Sequence, residues 1–296
     1  MVTRYTFSER IFSIVNAIFL SLLALVCVYP LLYVVFASFS DPRLLMQHEG
    51  LLLLPKGFTL KGYDLVLKNP NIKVGFLNTV YYVIAGTAVS MLLTCFGAYA
   101  LSRKRVFFAK YVLVFITITM FFSGGLIPFY LTVKNLGLFN TRWAIIIPSA
   151  ISTWNLIVMR TSFMEIPESF EESAKIDGAN DFTILFRIII PLSKAIMAVM
   201  ILFYSVGMWN SWFNASIFLS DRRYYPIQLI LREILITNDK GDMLQVLNGI
   251  TAQTEDLYRQ LVQYTTIVIA TVPVLFIYPF LQKYFVKGIM VGSLKG

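Results

Sequence analysis

Charge is scarce in this chain. Only 14% of its 296 residues are Asp, Glu, Lys or Arg, while 57% are hydrophobic. A soluble domain carries about a quarter charged residues. Cysteine and histidine are rarer still. Cys27 and Cys95 lie in separate apolar runs and read as small packed side chains, which excludes a disulfide framework. His48, the single histidine, has no Cys or acidic neighbour at ligand spacing, so no metal site is expected. There is no Gly-x4-Gly-Lys-Ser/Thr to cradle phosphates and no nucleophile–base pair at a plausible site. The expectation is a protein that is not an enzyme and binds no cofactor itself. The net charge of +9 is scattered over loops without an interleaved basic and aromatic face, which argues against nucleic acid as a partner.

What the chain does have is apolar length. Runs free of charge lie at Ile11–Ser40, Val74–Ser102, Tyr111–Val133, Trp143–Met159, Ala195–Ser220 and Gln260–Gln282. A span of the bilayer takes about 20 such residues. The expected fold is therefore an all-α integral membrane protein with six transmembrane helices, a single domain over residues 1–296. The first run follows Arg4 and Arg10 as a signal peptide would, but it is too long and lacks a clear cleavage site, so it reads as a retained helix. The fourth run is short and holds Pro148, Ser149, Ser152, Thr153 and Asn155. To span, it must continue past Arg160 with that side chain snorkelling, or be protected by neighbouring helices. Ser123-Gly124-Gly125 marks a helix break or a close-packing site.

Orientation follows from local charge. Arg103, Lys104, Arg105 and Lys110 in one short connection, and Lys283, Lys287 and Lys295 in the tail, stand without acids. Both segments share the N-terminal side, which is read as cytoplasmic, as are both termini. The outer segments then include 221–259. There Pro226 opens a run with Ile227, Ile230, Leu231, Ile234 and Leu235 at helical spacing. A short helix on the membrane surface or packed against the spans is expected, followed by a turn at Asn238–Asp242.

The inner connection, residues 166–192, reads IPESFEESAKIDGANDFTILFRIIIPL. Pro167 suits the first position of a helix, and Glu168, Glu171 and Glu172 suit its positive end. Glu171 and Lys175 are spaced for an i,i+4 pair. Gly178 suits a left-handed helix end, and Asn180 or Asp181 can cap a second helix through Phe182, Leu185, Phe186 and Ile189 that Pro191 would break or kink. A full helix–glycine–helix unit is more than a connection needs, which suggests a docking surface.

This segment closely resembles the signature loop of bacterial ATP-binding-cassette importer permeases. The family pattern is Glu-Ala-Ala, three residues, Gly, nine residues, Ile, one residue, Leu-Pro. Here Glu172-Ser173-Ala174, Gly178, Ile188, Ile190 and Pro191 keep the spacing, with Ser173 and Ile190 as departures. Further segments are similar to the second permease of maltose-type carbohydrate importers, in the subgroup for complex oligosaccharides: PKGFTLKGYDLVL (Pro55–Leu67), Asn78-Thr79, Ser123–Thr141, WNSWFNA (Trp209–Ala215) and the tail YFVKGIMVGSLKG. The resemblance implies the type I (MetI-like) permease fold in a bacterial cell membrane. It implies a homologous second permease, two ATPase subunits that hold ATP and Mg, and an extracytoplasmic solute-binding protein. It also implies that residues 166–192 dock on the ATPase, with Glu171, Glu172, Ala174, Asp177, Gly178 and Ala179 at the elbow. Phe182 and Phe186 would be apolar anchors and Pro191 the end of the unit. Residues 287–296 would reach between the ATPases, and 238–257 would probe the binding protein.

A sugar is read by amides, hydroxyls and aromatic faces. Asn78, Tyr81, Tyr82, Asn155, Trp209, Asn210, Trp212 and Asn214 supply those types along the spans, although Tyr and Trp also anchor span ends and Asn also ties helices together. A self-sufficient secondary carrier is the alternative, disfavoured because no apolar run holds an Asp, Glu or Lys. A membrane scaffold or sensor that recruits a soluble partner through the inner loop is the third reading.

Overall fold

The computed structural model describes residues 6–103, 105–237 and 258–276. Described residues are helical apart from connections and one isolated bridge, Ser40 with Phe58. They fall into two bodies divided near residues 69, 233 and 271.

The first body is led by α1 (Phe7–Ser38), 32 residues that hold the first expected span almost whole. The Thr6 N–H donates to Glu9 Oε2 at 2.6 Å and closes its first turn. Nearly every apolar side chain from Phe7 to Leu32 is exposed; only Ala37 and Ser38 are buried in α1. So apolar a helix surface, left bare by the described residues of its own body, suits lipid or a protein neighbour. Two short helices follow, α2 (Pro42–Met46), capped by Asp41, and α3 (Lys61–Lys68). In α3, Gly62 lies against Thr265 and Leu261, and a Cβ there would sit 2.9 Å from Leu261 Cγ. The sixth expected span is helical over residues 258–276; its remainder lies outside the described residues.

The second body is built on α4 (Pro70–Ser102), one helix with a π turn over Tyr82–Gly86 that contains the second expected span. The third run is not one helix. It forms α5 (Ala109–Ile118) and α6 (Leu126–Asn135), separated by turns and by Gly125 at φ +84°. Nothing lies within 4 Å of a Cβ at Gly125, and only Pro128 near one at Gly124, so the two glycines break the helix and do not serve close packing. The fourth run is also divided, into α7 (Trp143–Ile146) and α8 (Thr153–Met164), the second capped by Ser152. Helix α8 continues past Arg160, whose Nε donates to the Leu101 carbonyl at 2.9 Å. Arg160 therefore does not snorkel; it satisfies an orphan carbonyl in the last turn of α4.

The inner connection forms α9 (Ser169–Ile176) and α10 (Asp181–Leu192). A 90° bend then leads into α11 (Lys194–Trp209). The break expected from Pro191 falls at Ser193, just beyond it. The fifth run continues after Asn210-Ser211 as α12 (Trp212–Phe218). Among the described residues, two helices, α1 and α4, are long and apolar enough to cross a membrane, or three if the bent α10–α11 pair is one.

The core of this body joins five helices. Met91, Cys95, Ala98 and Tyr99 of α4 meet Met159 and Phe163 of α8, Ala174 of α9, Ile184 and Leu185 of α10, and Met200 of α11. The run after Pro226 forms α13 (Ile227–Arg232), packed on α4 as one of the two expectations had it. Gly75 lets it approach: a Cβ there would meet Ile230 and lie 3.4 Å from the Ile227 backbone. Thr79 Oγ1 accepts the Ile227 N–H at 2.8 Å, so the first turn of α13 is capped by α4.

Candidate functional site

Two places on the second body have the chemistry of a site, and the first is the elbow between α9 and α10. Asp177 ends α9 and Gly178 adopts φ +81°. The Ala179 N–H donates to the Ala174 carbonyl at 2.9 Å and the Gly178 N–H to the Lys175 carbonyl at 3.0 Å, the paired bonds of a Schellman cap. Asn180 Oδ1 then accepts the Thr183 N–H at 2.8 Å and starts α10. Of the two candidate caps, Asn180 takes the role. Asp181 instead pairs with Arg105, and that hydrogen bond raises the pKa of the guanidinium. Pro167 is not the first helical residue. It lies outside α9, with its carbonyl accepting the Phe170 N–H.

The two glutamates point in opposite directions. Glu172 is exposed, as are Asp177 and Gly178. Glu171 is 5% exposed and does not pair with Lys175. Its Oε1 lies 2.6 Å from Nη2 of Arg103, at the end of α4, and the Arg103 guanidinium sits 5.0 Å from the Tyr99 ring centre. The contact is charge on charge without an aligned hydrogen bond. Removing either partner of a buried pair strands the other charge and costs about 3–5 kcal/mol. Sequence reasoning missed Arg103, because its partner is distant along the chain while Lys175 stands at an obvious helical spacing.

Apolar side chains flank the elbow and face outward. Ile176 is 86% exposed and Phe182 66%, with Phe170 and Phe186 also exposed. Phe182 and Phe186 rest edge-on against Phe96 of α4, with ring centres 6.1 and 6.0 Å away. Ala174, by contrast, is buried, and Ala179 packs beside it in the core. Pro191 lies exposed near the end of α10. A rigid, capped turn offering solvent-facing hydrophobics in a charged segment has the anatomy of a protein-binding surface.

The second place is an open cavity of about 450 Å³ at the break between α11 and α12. Asn155, Asn210 and Asn214 line it, with Ser149, Ser152, Ser211, Tyr204, Phe203 and Phe213. No charged side chain is among these residues. Tyr204 is held by hydrogen-bond contact with Thr94 (2.6 Å) and by the Ser152 N–H (3.2 Å), and Asn214 Nδ2 reaches Ser149 Oγ at 3.4 Å. The volume is within the range of small-molecule sites.

The other five sugar candidates lie elsewhere. Asn78 is buried; its Nδ2 donates to the Arg223 and Tyr225 carbonyls at 2.7 and 3.1 Å, and its Oδ1 accepts from Arg142 at 3.1 Å. Tyr82 is buried and its hydroxyl donates to the Tyr224 carbonyl. These two tie α4 to residues 223–225. Tyr81 lies beneath the Arg142 guanidinium and Trp212 beneath that of Arg232. Trp209 is buried, edge-on to Phe76. The serines of the cavity were visible in sequence only as polar intrusions in an apolar run. Residues 238–257 and 287–296 lie outside the described residues.

The pattern of the family described as "binding-protein-dependent transport system inner membrane component" matches residues 86–291. The chain is 40% identical over 290 residues to the polygalacturonan/rhamnogalacturonan transport system permease protein YtcP of Bacillus subtilis (strain 168), covering 97% of this chain and 99% of that one. It is 39% identical over 291 residues to protein LplC of the same organism, covering 98% and 97%. A solved structure of a bacterial ABC transporter involved in the import of the acidic polysaccharide alginate matches with a TM-score of 0.89 at 34% identity. That match covers 96% of this chain and 100% of the other. With a signature loop folded as an exposed elbow on a bundle of apolar helices, the chain belongs to the binding-protein-dependent inner-membrane transport components, the permeases of ABC importers, and has their MetI-like type I fold.

Proposed function

We propose that this permease forms half of the translocation pathway of an oligosaccharide importer and takes its driving force from a separate ATPase through the α9–α10 elbow. The observation that carries the reading is the exposure of Ile176 and Phe182 on either side of the Schellman-capped Gly178. Glu172, Asp177 and Gly178 form the polar rim of that surface, and Phe182 and Phe186 its apolar anchors. The partners are a homologous second permease, two ATPase subunits and an extracytoplasmic binding protein. ATP and its magnesium stay on the ATPases. The chain crosses the membrane six times with both termini in the cytoplasm, the breaks in the third to fifth crossings being covered by neighbouring helices and the second permease.

The oligosaccharide assignment is supported by the cavity, where amides and hydroxyls from Asn155, Asn210, Asn214 and Ser152 face the same space as Phe203 and Phe213. That mixture suits the hydroxyl edges and C–H faces of a sugar. The saccharides named for YtcP and for the alginate importer favour the same class.

Affinity isolation of the tagged chain from gently solubilised native membranes tests the docking role. A second permease and an ATPase with a phosphate-binding loop are expected to accompany it. Gly178→Asp should release the ATPase and leave the permease pair intact: nothing lies within 4 Å of the added Cβ, and the strain of an L side chain at φ +81° falls on the elbow itself. Full recovery of the ATPase with that variant would remove the elbow from the interface.

A further inference from the structure

We infer that Arg103 and Glu171 are positioning residues that lock the docking elbow to the end of α4, so that elbow and span move as one rigid piece. The inference rests on the docking reading of the elbow and adds how its motion enters the membrane. Glu171 begins the exposed α9 segment yet turns its carboxylate inward, leaving Glu172 alone on the outer face. Its partner Arg103 stands at the C-terminal cap of α4, and both side chains are 7% exposed. Arg160 of α8 bonds the Leu101 carbonyl in the same last turn, so three helices are tied within a few residues.

The surrounding contacts do not fix a register by themselves. Ala174, Ala98, Ile184 and Leu185 meet through apolar contacts, which are non-directional. The Arg105–Asp181 pair is about half exposed and contributes little at such a site. A charge pair withdrawn from water has one low-energy arrangement, because moving either partner away leaves an uncompensated buried charge. Coupling across a protein travels through such rigid elements. Arg103 and Glu171 thus turn a push on the elbow into displacement of α4, and neither side chain is available to touch the ATPase.

The test uses the assembled importer in lipid vesicles, with Cys27→Ser and Cys95→Ala and nitroxide labels at exposed positions Lys175 of α9 and Leu92 of α4. Distances are measured by pulsed electron resonance without nucleotide and with ATP plus vanadate. Without further substitution, the distance is expected to be the same in both states. In Arg103→Glu and in Glu171→Arg it should broaden and shift with nucleotide. The double reversal Arg103→Glu with Glu171→Arg should restore a single, fixed distance. Should the single reversals fail to assemble, Arg103→Lys and Arg103→Met are compared. The lysine keeps the charge and should keep the fixed distance, while the methionine should lose it. A nucleotide-dependent distance in the unsubstituted importer, or single variants indistinguishable from it, would overturn the link. Failure of the unsubstituted, unlabelled chain to retain an ATPase would reject the docking reading itself.

Discussion

At the scale of single residues, the polar groups in this apolar chain divide by whether their hydrogen-bonding capacity is already used. Asn78 is fully engaged, donating to two carbonyls and accepting from Arg142. Asn78→Ala should therefore destabilise the fold, leaving buried carbonyls unpaired at a cost of about 1–3 kcal/mol. Thermal unfolding in detergent is expected to show a lowered midpoint, with transport per folded molecule unchanged. Normal stability with impaired transport would return Asn78 to the pathway. Asn155 and Asn210 face the cavity instead. Sequence alone put all eight amide and aromatic candidates on one footing, because residue type says which bonds a side chain can make but not whether a neighbour has taken them. Gly178 and Asn180 were legible for the opposite reason, since the helix end and helix start they make are local events.

At the scale of elements, the glycines separate helix approach from helix interruption. Gly62 and Gly75 stand where another segment comes within van der Waals reach of the backbone, whereas Gly207 of α11 has nothing within 4 Å of a built Cβ. Gly62→Ala should cost about 1–3 kcal/mol by pushing α3 from Leu261 and Thr265. Gly207→Ala should leave stability unchanged or raise it by up to about 1 kcal/mol through helix propensity. Paired melting curves and limited proteolysis check both; equal effects would mean that α3 does not pack as closely as it stands. Hydropathy located the apolar runs and most of their ends, but it averages over the backbone. It therefore missed that the runs Trp143–Met159 and Ala195–Ser220 are broken, even though Pro148 and Asn210-Ser211 sit at or beside the breaks. Ser123-Gly124-Gly125, legible in sequence as a helix break or close-packing site, does break the run Tyr111–Val133. Periodicity served α13 well because its apolar stripe packs on the neighbouring helices α4 and α12. It failed at Glu171, whose partner Arg103 lies on another helix.

At the scale of the whole molecule, the question is which end of the bundle faces the nucleotide. Arg103 and Arg105 cluster with the elbow, whereas Arg142, Arg222 and Arg223 stand with the segment that leads into α13. Both ends are basic, so net charge barely discriminates; on the docking reading, the elbow must lie where ATP is. In a background with Cys27 and Cys95 replaced, a membrane-impermeant maleimide should label Arg222→Cys in spheroplasts. Arg105→Cys should be labelled only after permeabilisation, when its half-exposed position becomes reachable. Because α4 runs between these two ends, one pair of labels fixes the sense of the second crossing and, by alternation, of the others. The opposite labelling pattern would put the elbow outside the cell, where no ATPase could reach it. The exposed hydrophobics at Ile176 and Phe182 would then have to serve the binding protein instead, and the cavity at Asn210 would open from the other side. The expected pattern leaves α1, bare of other described residues along nearly its whole apolar length, as a surface on which lipid or the second permease could close.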